Sequence, residues 1–246
     1  MAGVFIALCL YHHWGLPRPD EDNERRQKSV RDILLEFKAT VITFFQKPQV
    51  WVGICFMLFY RMPEGLLAKV SALFLVDKVA NGGLGLSDGE YGLVQGTVGV
   101  IGLTLGGILG GIVASRDGLK RWLWPMVVAI TLPDIVYVVL SILQPSNLFV
   151  ISSCIFVEQF GYGFGFSAYM LYLIYYSQGE HKTAHYALCT AFMALSMMIP
   201  GLFAGALQEG VGYQAFFWIV IASCSLTYAV SAILDIDPEF GKKKAA

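Results

Sequence analysis

Six blocks of this sequence stay apolar for about 20 residues or more, and they decide what the chain can fold into. Lipid offers no hydrogen-bond partners, so a segment of this kind satisfies its backbone by forming a helix that crosses the bilayer. The sequence therefore predicts an all-α polytopic membrane protein with six transmembrane helices. The predicted spans are residues 50–76, 92–114, 123–143, 148–176, 186–207 and 216–234.

The composition agrees with a chain that lies in lipid. Only 14% of its 246 residues are charged and 56% are hydrophobic, whereas soluble domains carry about 25% charged residues. The net charge of −1 gives no basis for binding nucleic acid. We expect the lipid bilayer as a partner, and the five scattered cysteines predict small buried side chains, with no metal centre and no cofactor.

Basic side chains fall almost entirely on one side of the predicted spans. Of 17 lysines and arginines, 14 lie before the first span, in every second loop or at the C-terminus. Lys78 is on the opposite side, and Arg61 and Lys69 lie within the first span. Because cytoplasmic loops carry the excess of Lys and Arg, we expect the C-terminus to be cytoplasmic.

Four segments follow from these patterns. Residues 1–14 are apolar but short for a span, and we interpret them as the remnant of a preceding transmembrane helix. Residues 15–48 form a cytoplasmic linker that ends in an amphipathic helix at the membrane interface, since apolar residues recur there at helical spacing. Residues 49–236 hold the six-helix transmembrane bundle, and residues 237–246 form a cytoplasmic basic tail.

Ionisable residues lie deep inside the predicted spans. At 1.5 Å per residue, Arg61 lies about 15 Å and Glu64 about 20 Å into the first span, and Asp134 and Glu158 fall at similar depth. A charge at that depth costs at least ~2.5–3.5 kcal/mol, so these groups are expected to converge on a protein-lined, water-accessible cavity. There Arg61 and Glu64 can pair, and carboxyl groups that change protonation could couple transport to protons. A purely structural ion-pair network is the alternative.

Tyrosines continue the face of the helix that carries Glu158. Tyr162 follows Glu158 by four residues and Tyr169 follows it by eleven, which places all three side chains on one helical face. Aromatic rings beside a carboxylate suit a bulky polar solute, because rings stack on sugars or peptides while hydroxyls form hydrogen bonds. An aromatic belt at the membrane interface is the other interpretation of tyrosines in this helix.

The loop after the second span resembles a signature of the major facilitator superfamily. The stretch "GGILGGIVASRDGLKR" is similar to the cytoplasmic-loop pattern G-x-x-x-D-R-x-G-x-K/R-K/R, and Ser115 stands where the family prefers Asp. That departure weakens the inter-helix lock that the family pattern implies for this loop. The matching residues are Gly111, Arg116, Gly118, Lys120 and Arg121.

More specifically, the chain resembles the C-terminal half of the AmpG-type muropeptide permeases and the related acetyl-coenzyme A transporter family. Residues 60–64 are similar to that family's Y-K-L-G-D, and residues 183–188 to its F-T-A-T-Q-Y-A-L-L, departing at His185. Residues 212–217 are similar to G-W-x-x-F-F, and Glu158 precedes a glycine-rich run as the family's acid does. The resemblance implies the C-terminal six-helix bundle of a transporter whose N-terminal half is a required partner.

The resemblance implies proton-coupled uptake of a bulky polar solute, such as a muropeptide, across the bacterial inner membrane. On this interpretation the chain is a fragment or one product of a split gene, and small-molecule solute and protons are its partners. Two other classes stay open. A membrane scaffold or receptor would not transport, and an intramembrane metalloenzyme would use His181 and His185, which are four residues apart but lack an evident third ligand.

Overall fold

The computed structural model describes residues 2–15 and 30–242, and this part of the chain is helical and contains no β-strand. Apolar blocks become helices as expected, and short polar turns join them. We number the helices in chain order: α1 Ala2–Gly15, α2 Val30–Phe45, α3 Val50–Phe59, α4 Met62–Val76, α5 Asp88–Asp117, α6 Leu119–Thr131, α7 Ile135–Leu143, α8 Leu148–Ser177 and α9 Lys182–Ala232.

Residues up to Gln46 and residues from Lys47 onward form two separate units. In the first unit the predicted amphipathic helix is present as α2, with Phe37 exposed. The linker residues 16–29 lie outside the described residues, and so do the last four residues of the basic tail.

In the part of the chain that the structure describes, five helical stretches are long and apolar enough to cross a membrane. The fifth is α9, which has 51 residues and would be about 75 Å long if straight. Its helical geometry is interrupted at Gly212, where φ is 78° and ψ is 167°. This left-handed conformation favours glycine and divides α9 into two crossings. The five stretches therefore supply the six crossings that the sequence predicts.

Contacts on either side of Gly212 show that α9 reverses direction there. The Tyr213 hydroxyl donates to the Asp77 carboxylate at 3.1 Å, just beyond the end of α4. Further along, the Thr227 hydroxyl donates to the Tyr60 carbonyl at 3.0 Å, near the start of α4. On the other side of the break, Pro200 packs directly against Gly65. Both segments of α9 thus lie beside α4 and run antiparallel to each other.

The first crossing is broken between α3 and α4. Helix α3 ends at Phe59, and α4 begins at Met62 with Pro63 in its first turn. A proline cannot donate a backbone hydrogen bond, so carbonyl groups of the preceding turn lose their helical partners. The structure caps two of these carbonyls with side chains from other helices. The Tyr169 hydroxyl donates to the Met57 carbonyl at 2.6 Å, and Thr227 donates to that of Tyr60.

Glycines bring α5 and α8 together. Gly102, Gly106 and Gly110 form a buried stripe on α5, and a Cβ on any of them would crowd the α8 backbone between Phe156 and Phe164. The opposite face of α5 carries exposed apolar side chains, as expected for a surface against lipid. Those side chains are Ile101, Leu105, Ile108 and Ile112.

After α9 the chain folds back across the loop between α5 and α6. The Leu119 amide donates to the Phe240 carbonyl at 3.1 Å, and the Phe240 ring lies 4.8 Å from that of Tyr175 at the end of α8. Gly118, with φ of 89°, lies so close to residues 238–242 that a side chain there would crowd them. The residues after α9 therefore join two helix ends on one side of the bundle.

Candidate functional site

Three carboxylates meet inside the bundle. One oxygen each of Glu64, Asp134 and Glu158 lies within 4.8 Å of the others, and all three side chains are buried. They come from three different crossings, which agrees with the convergence that depth counting along the sequence predicts. In a low-dielectric interior, like charges this close repel strongly. The cluster is therefore stable only when protons or another cation offset part of its charge.

Helix breaks position two of the three acids. Glu64 follows Pro63 in the first turn of α4, and Asp134 follows Pro133 in a single 3₁₀ turn between α6 and α7. The positive end of a helical segment therefore lies beside each carboxylate, which favours negative charge there. Glu158 has no such break, because it lies in the middle of the continuous helix α8.

Neighbouring side chains hold two of the acids by hydrogen bonds. The same oxygen of Glu158 accepts from the side-chain amide of Gln159 at 2.9 Å and from the Tyr137 hydroxyl at 3.4 Å. The Cys224 thiol lies 3.7 Å from an oxygen of Asp134. These donors stabilise a carboxylate, but none of them carries a positive charge. They therefore orient the acids without neutralising the cluster.

Arg61 does not form the ion pair with Glu64 that the three-residue spacing suggested. Its guanidinium donates a hydrogen bond to the Tyr162 hydroxyl and lies over three aromatic rings of α8. The distances from the guanidinium carbon to the ring centroids are 5.6 Å for Tyr162, 4.6 Å for Phe166 and 5.8 Å for Tyr169. The helix break explains the difference, because Arg61 precedes α4 with φ of −105° and ψ of 8°, outside helical geometry.

The two predicted tyrosines have different positions. Tyr162 is half-buried and contacts Arg61, whereas Tyr169 is fully buried and its hydroxyl caps the Met57 carbonyl. Phe166 and Tyr162 also line a groove of about 480 Å³ between α5 and α8. Tyr162 is thus available to a molecule in the groove, while the hydroxyl of Tyr169 is engaged by the broken helix.

Several residues of this region were not predicted from the sequence. Tyr137 lies three residues after Asp134, and Phe166 lies four after Tyr162, so helical spacing could have found both. Thr227 belongs to the apolar stretch "SCSLTYAV" and gives no comparable signal. Its role depends on a backbone carbonyl 167 residues away.

The loop motif lies apart from the acidic cluster, at the junction of α5 and α6. Lys120 pairs with Asp235 at 3.7 Å and Arg121 with Asp117 at 3.5 Å, and Asp235 and Arg121 are largely exposed. Such surface pairs contribute little to stability. No atom lies within 4 Å of a Cβ placed on Gly111, and Arg116 is exposed at the end of α5. In this motif, only Gly118 has a conformation that demands its residue type.

The acidic cluster is also where ligand atoms for a cation come closest together. Within residues 2–15 and 30–242, it is the only group of three or more potential metal-ligating side chains. His181 and His185 are adjacent, with ring centroids 6.0 Å apart, but they belong to no such group. Oxygen-only ligands suit hard cations and protons better than they suit zinc. The donor atoms of the cluster thus suit a proton or a hard cation.

Comparison with known proteins identifies the family. Residues 65–246 match the Major Facilitator Superfamily over about three quarters of the chain. The chain belongs to this superfamily. It is thus a multi-pass membrane protein of a transporter family, as the loop motif suggested. The match indicates transport rather than catalysis.

Individual relatives resemble the chain at lower identity. An uncharacterized protein of Haemophilus influenzae is 23% identical over 230 residues, which are 90% of this chain and 51% of that protein. The anhydromuropeptide permease of Escherichia coli K12 is 25% identical over 185 residues, 75% of this chain and 36% of the permease. Putative transporter AmpG 1 of Rickettsia prowazekii is 26% identical over 162 residues, covering 66% and 35%. The chain thus resembles AmpG-type transporters and spans about half or less of their length.

Proposed function

We propose that this chain is the C-terminal six-helix half of a proton-coupled transporter that takes up a bulky polar solute. The proposal rests on one observation, the three buried carboxylates whose oxygens lie within 4.8 Å of each other. Ionisable side chains inside a membrane are costly, and where they occur they commonly mark the pathway of an ion or a proton. Protons entering and leaving it would change the balance between two conformations of the transporter.

The solute we propose is a muropeptide. Two relatives that are about 25% identical carry the names anhydromuropeptide permease and AmpG. The aromatic rings beside Arg61 suit the sugar and peptide groups of such a molecule, since rings stack on apolar faces and their hydroxyls form hydrogen bonds. These relatives are bacterial, so we place the protein in the inner membrane of a bacterium.

The working unit includes an N-terminal six-helix half. Alternating access requires two bundles that rock about a central site, and six helices supply one wall of it. In this arrangement residues 49–236 form the second bundle, residues 15–48 the cytoplasmic linker before it and residues 237–246 a cytoplasmic tail. The excess of basic residues on one side supports a cytoplasmic C-terminus.

Uptake measurements test the proposal. The chain is reconstituted with an N-terminal half in proteoliposomes, and uptake of an anhydromuropeptide is followed with and without an inward proton gradient. We expect the gradient to stimulate uptake, and Glu64→Gln or Glu158→Gln to remove that stimulation, because an amide cannot release a proton. Glu209→Gln is the matched control, since Glu209 is an exposed acid in α9.

Three outcomes would contradict the proposal. Stimulation by a sodium gradient but not by a proton gradient would assign the acids to a different ion. Equal stimulation in the wild type and both variants would remove the acids from coupling altogether. Failure of the two halves to copurify would contradict the two-bundle assembly.

A further inference from the structure

Arg61 is a buried cation whose guanidinium contacts aromatic rings, and Glu64 is a carboxylate near enough to act on it electrostatically without contacting it. Only 7% of the surface of Arg61 is exposed. In residues 2–15 and 30–242, no carboxylate forms an ion pair with it, and its Nε atom has no hydrogen-bond partner. A buried charge without a directly bound counter-ion is costly, so this arrangement favours an anionic partner that binds the guanidinium itself.

Aromatic rings hold the guanidinium in place without using up its charge. Phe166 lies closest, with 4.6 Å from the guanidinium carbon to the ring centroid, and Tyr162 contributes both its ring and a hydrogen bond. Cation–π contacts recover only part of the lost hydration energy. A guanidinium fixed in this way presents its remaining N–H groups in a rigid plane, which matches the two oxygens of a carboxylate or phosphate.

The same two rings connect Arg61 to open space. Tyr162 and Phe166 are half-buried and line the groove of about 480 Å³ between α5 and α8. The rest of the groove is almost entirely apolar, and Ser167 is the other polar side chain in its wall. A solute in the groove could therefore stack against the rings while its anionic end reaches the guanidinium.

We propose that Arg61, Tyr162 and Phe166 form a binding site for a carboxylate or phosphate group of the transported solute. This assignment rests on the proposed function and deepens it, because it names the side chains that bind the acidic group of the solute. Arg61 binds the anion, and the cluster of Glu64, Asp134 and Glu158 carries protons separately. Protons entering with the solute then offset its negative charge.

Binding measurements on the assembled transporter in lipid nanodiscs test the site. The probes are an anhydromuropeptide with free peptide carboxylates and the same molecule with every carboxylate converted to an amide. Wild type should bind the acidic probe at least about tenfold more tightly, since a hydrogen-bonded charge pair supplies that difference. Arg61→Gln should bind both probes equally, whereas Glu158→Gln should lose proton coupling but keep the preference for the acid.

A second variant covers the case in which Arg61→Gln does not fold. Arg61→Lys keeps the charge but lacks the planar fork, so its preference for the acidic probe should be smaller than that of the wild type. An unchanged preference in Arg61→Lys or Arg61→Gln would overturn the site. Equal binding of the two probes by the wild type would do the same.

The result remains decisive if neither muropeptide binds. That outcome would count against the proposed solute, and simple anions then test the site by themselves. Acetate or inorganic phosphate should raise the melting temperature of the wild type but not that of Arg61→Gln. An equal rise in both proteins, or no rise in the wild type, would show that Arg61 binds no anion.

Discussion

At the scale of single residues, hydroxyl groups are what allow the first crossing to break inside a membrane. The break frees backbone carbonyls where no water is available to hydrogen-bond them. Thr227 and Tyr169 donate to two of these carbonyls from other helices, at 3.0 Å and 2.6 Å. Both carbonyls lie just before α4. The two contacts therefore hold the backbone at the break, next to Arg61 and Glu64.

Replacing Thr227 tests this role. Thr227→Val keeps the shape of the side chain but removes the hydroxyl, so the Tyr60 carbonyl loses its donor in a fully buried position. We expect the free energy of unfolding to fall by about 1–3 kcal/mol, measured by thermal or denaturant unfolding in detergent. Thr227→Ser should lose much less, because it keeps the donor. Equal losses in the two variants would mean that the methyl contact, not the hydrogen bond, matters.

Several residue positions could be read from the sequence, and others could not. Counting along the spans placed Glu64, Asp134 and Glu158 at one depth, because helical rise is constant. It could not predict that Arg61 contacts rings instead of Glu64, since this depends on how the chain turns at the break. Pro63 and Pro133 mark breaks, yet Pro200 lies inside the first half of α9 and does not interrupt it. Proline alone therefore does not locate a break.

At the scale of helices, the contact between α5 and α8 depends on the absence of side chains. A Cβ on Gly106 would overlap the Phe160 carbonyl oxygen, and one on Gly163 would overlap that of Leu103. Neighbouring positions on the same helix are much less crowded. The structure thus identifies which glycines bring the two helices into contact.

A pair of alanine substitutions separates these positions. Gly106→Ala forces α5 and α8 apart, and such overpacking typically costs about 1–3 kcal/mol. Gly107→Ala is the matched control, because its Cβ would lie 3.9 Å from the nearest atom, the Gly163 carbonyl oxygen. Unfolding in detergent measures both. A similar loss at Gly107 would show that helix propensity or backbone freedom, rather than close approach, sets the cost.

Asp77 joins the C-terminal end of α4 to the start of the second half of α9. Its carboxylate accepts hydrogen bonds from the Asn81 side chain at 3.0 Å, the Lys78 amide at 2.8 Å and the Tyr213 hydroxyl at 3.1 Å. The Asn81 contact is the main reason that the pKa of Asp77 is lowered from its usual 3.8, and the bonds from Lys78 and Tyr213 add to it. Each of these bonds favours the charged form.

This lowered pKa predicts a pH dependence. The stabilisation from Asp77 is complete at pH values above 3.8 and is lost as the pH falls through the lower pKa of the folded state. Hydrogen exchange of the Lys78 amide, corrected for intrinsic rates, should therefore be protected at pH 7 and unprotected at low pH. Asp77→Asn should exchange faster already at pH 7 and vary little with pH. An identical pH profile in both proteins would exclude Asp77 as the cause.

At the scale of the whole molecule, the residues after α9 fasten one side of the bundle. They contact the loop between α5 and α6 through Phe240 and the end of α8 through Tyr175. The Tyr175 hydroxyl also accepts a hydrogen bond from the Asp237 amide at 3.3 Å. The loop motif between α5 and α6 therefore lies under a backbone segment that also contacts the end of α8. While this segment is bound, neither the loop nor the end of α8 can shift far.

Removing the Phe240 ring should loosen this attachment. In Phe240→Ala the ring contact with Tyr175 is lost, which is worth about 1 kcal/mol, so the Leu119 amide should exchange about fivefold faster. Glu239→Ala is the control, because Glu239 is exposed and its ion pair with Lys242 contributes little. Unchanged exchange in Phe240→Ala would show that the loop between α5 and α6 holds its position without this segment.

Under the proposed proton coupling, the closeness of the three carboxylates would also limit how far the transporter can concentrate its solute. Three negative charges within 4.8 Å of each other are too repulsive to coexist in a dry interior. In this conformation at least one of the three acids then keeps a proton, so the cluster would release no more than two protons per turnover. One pH unit supplies about 1.4 kcal/mol per proton, so a pH gradient of one unit can sustain an accumulation ratio of at most about a hundredfold.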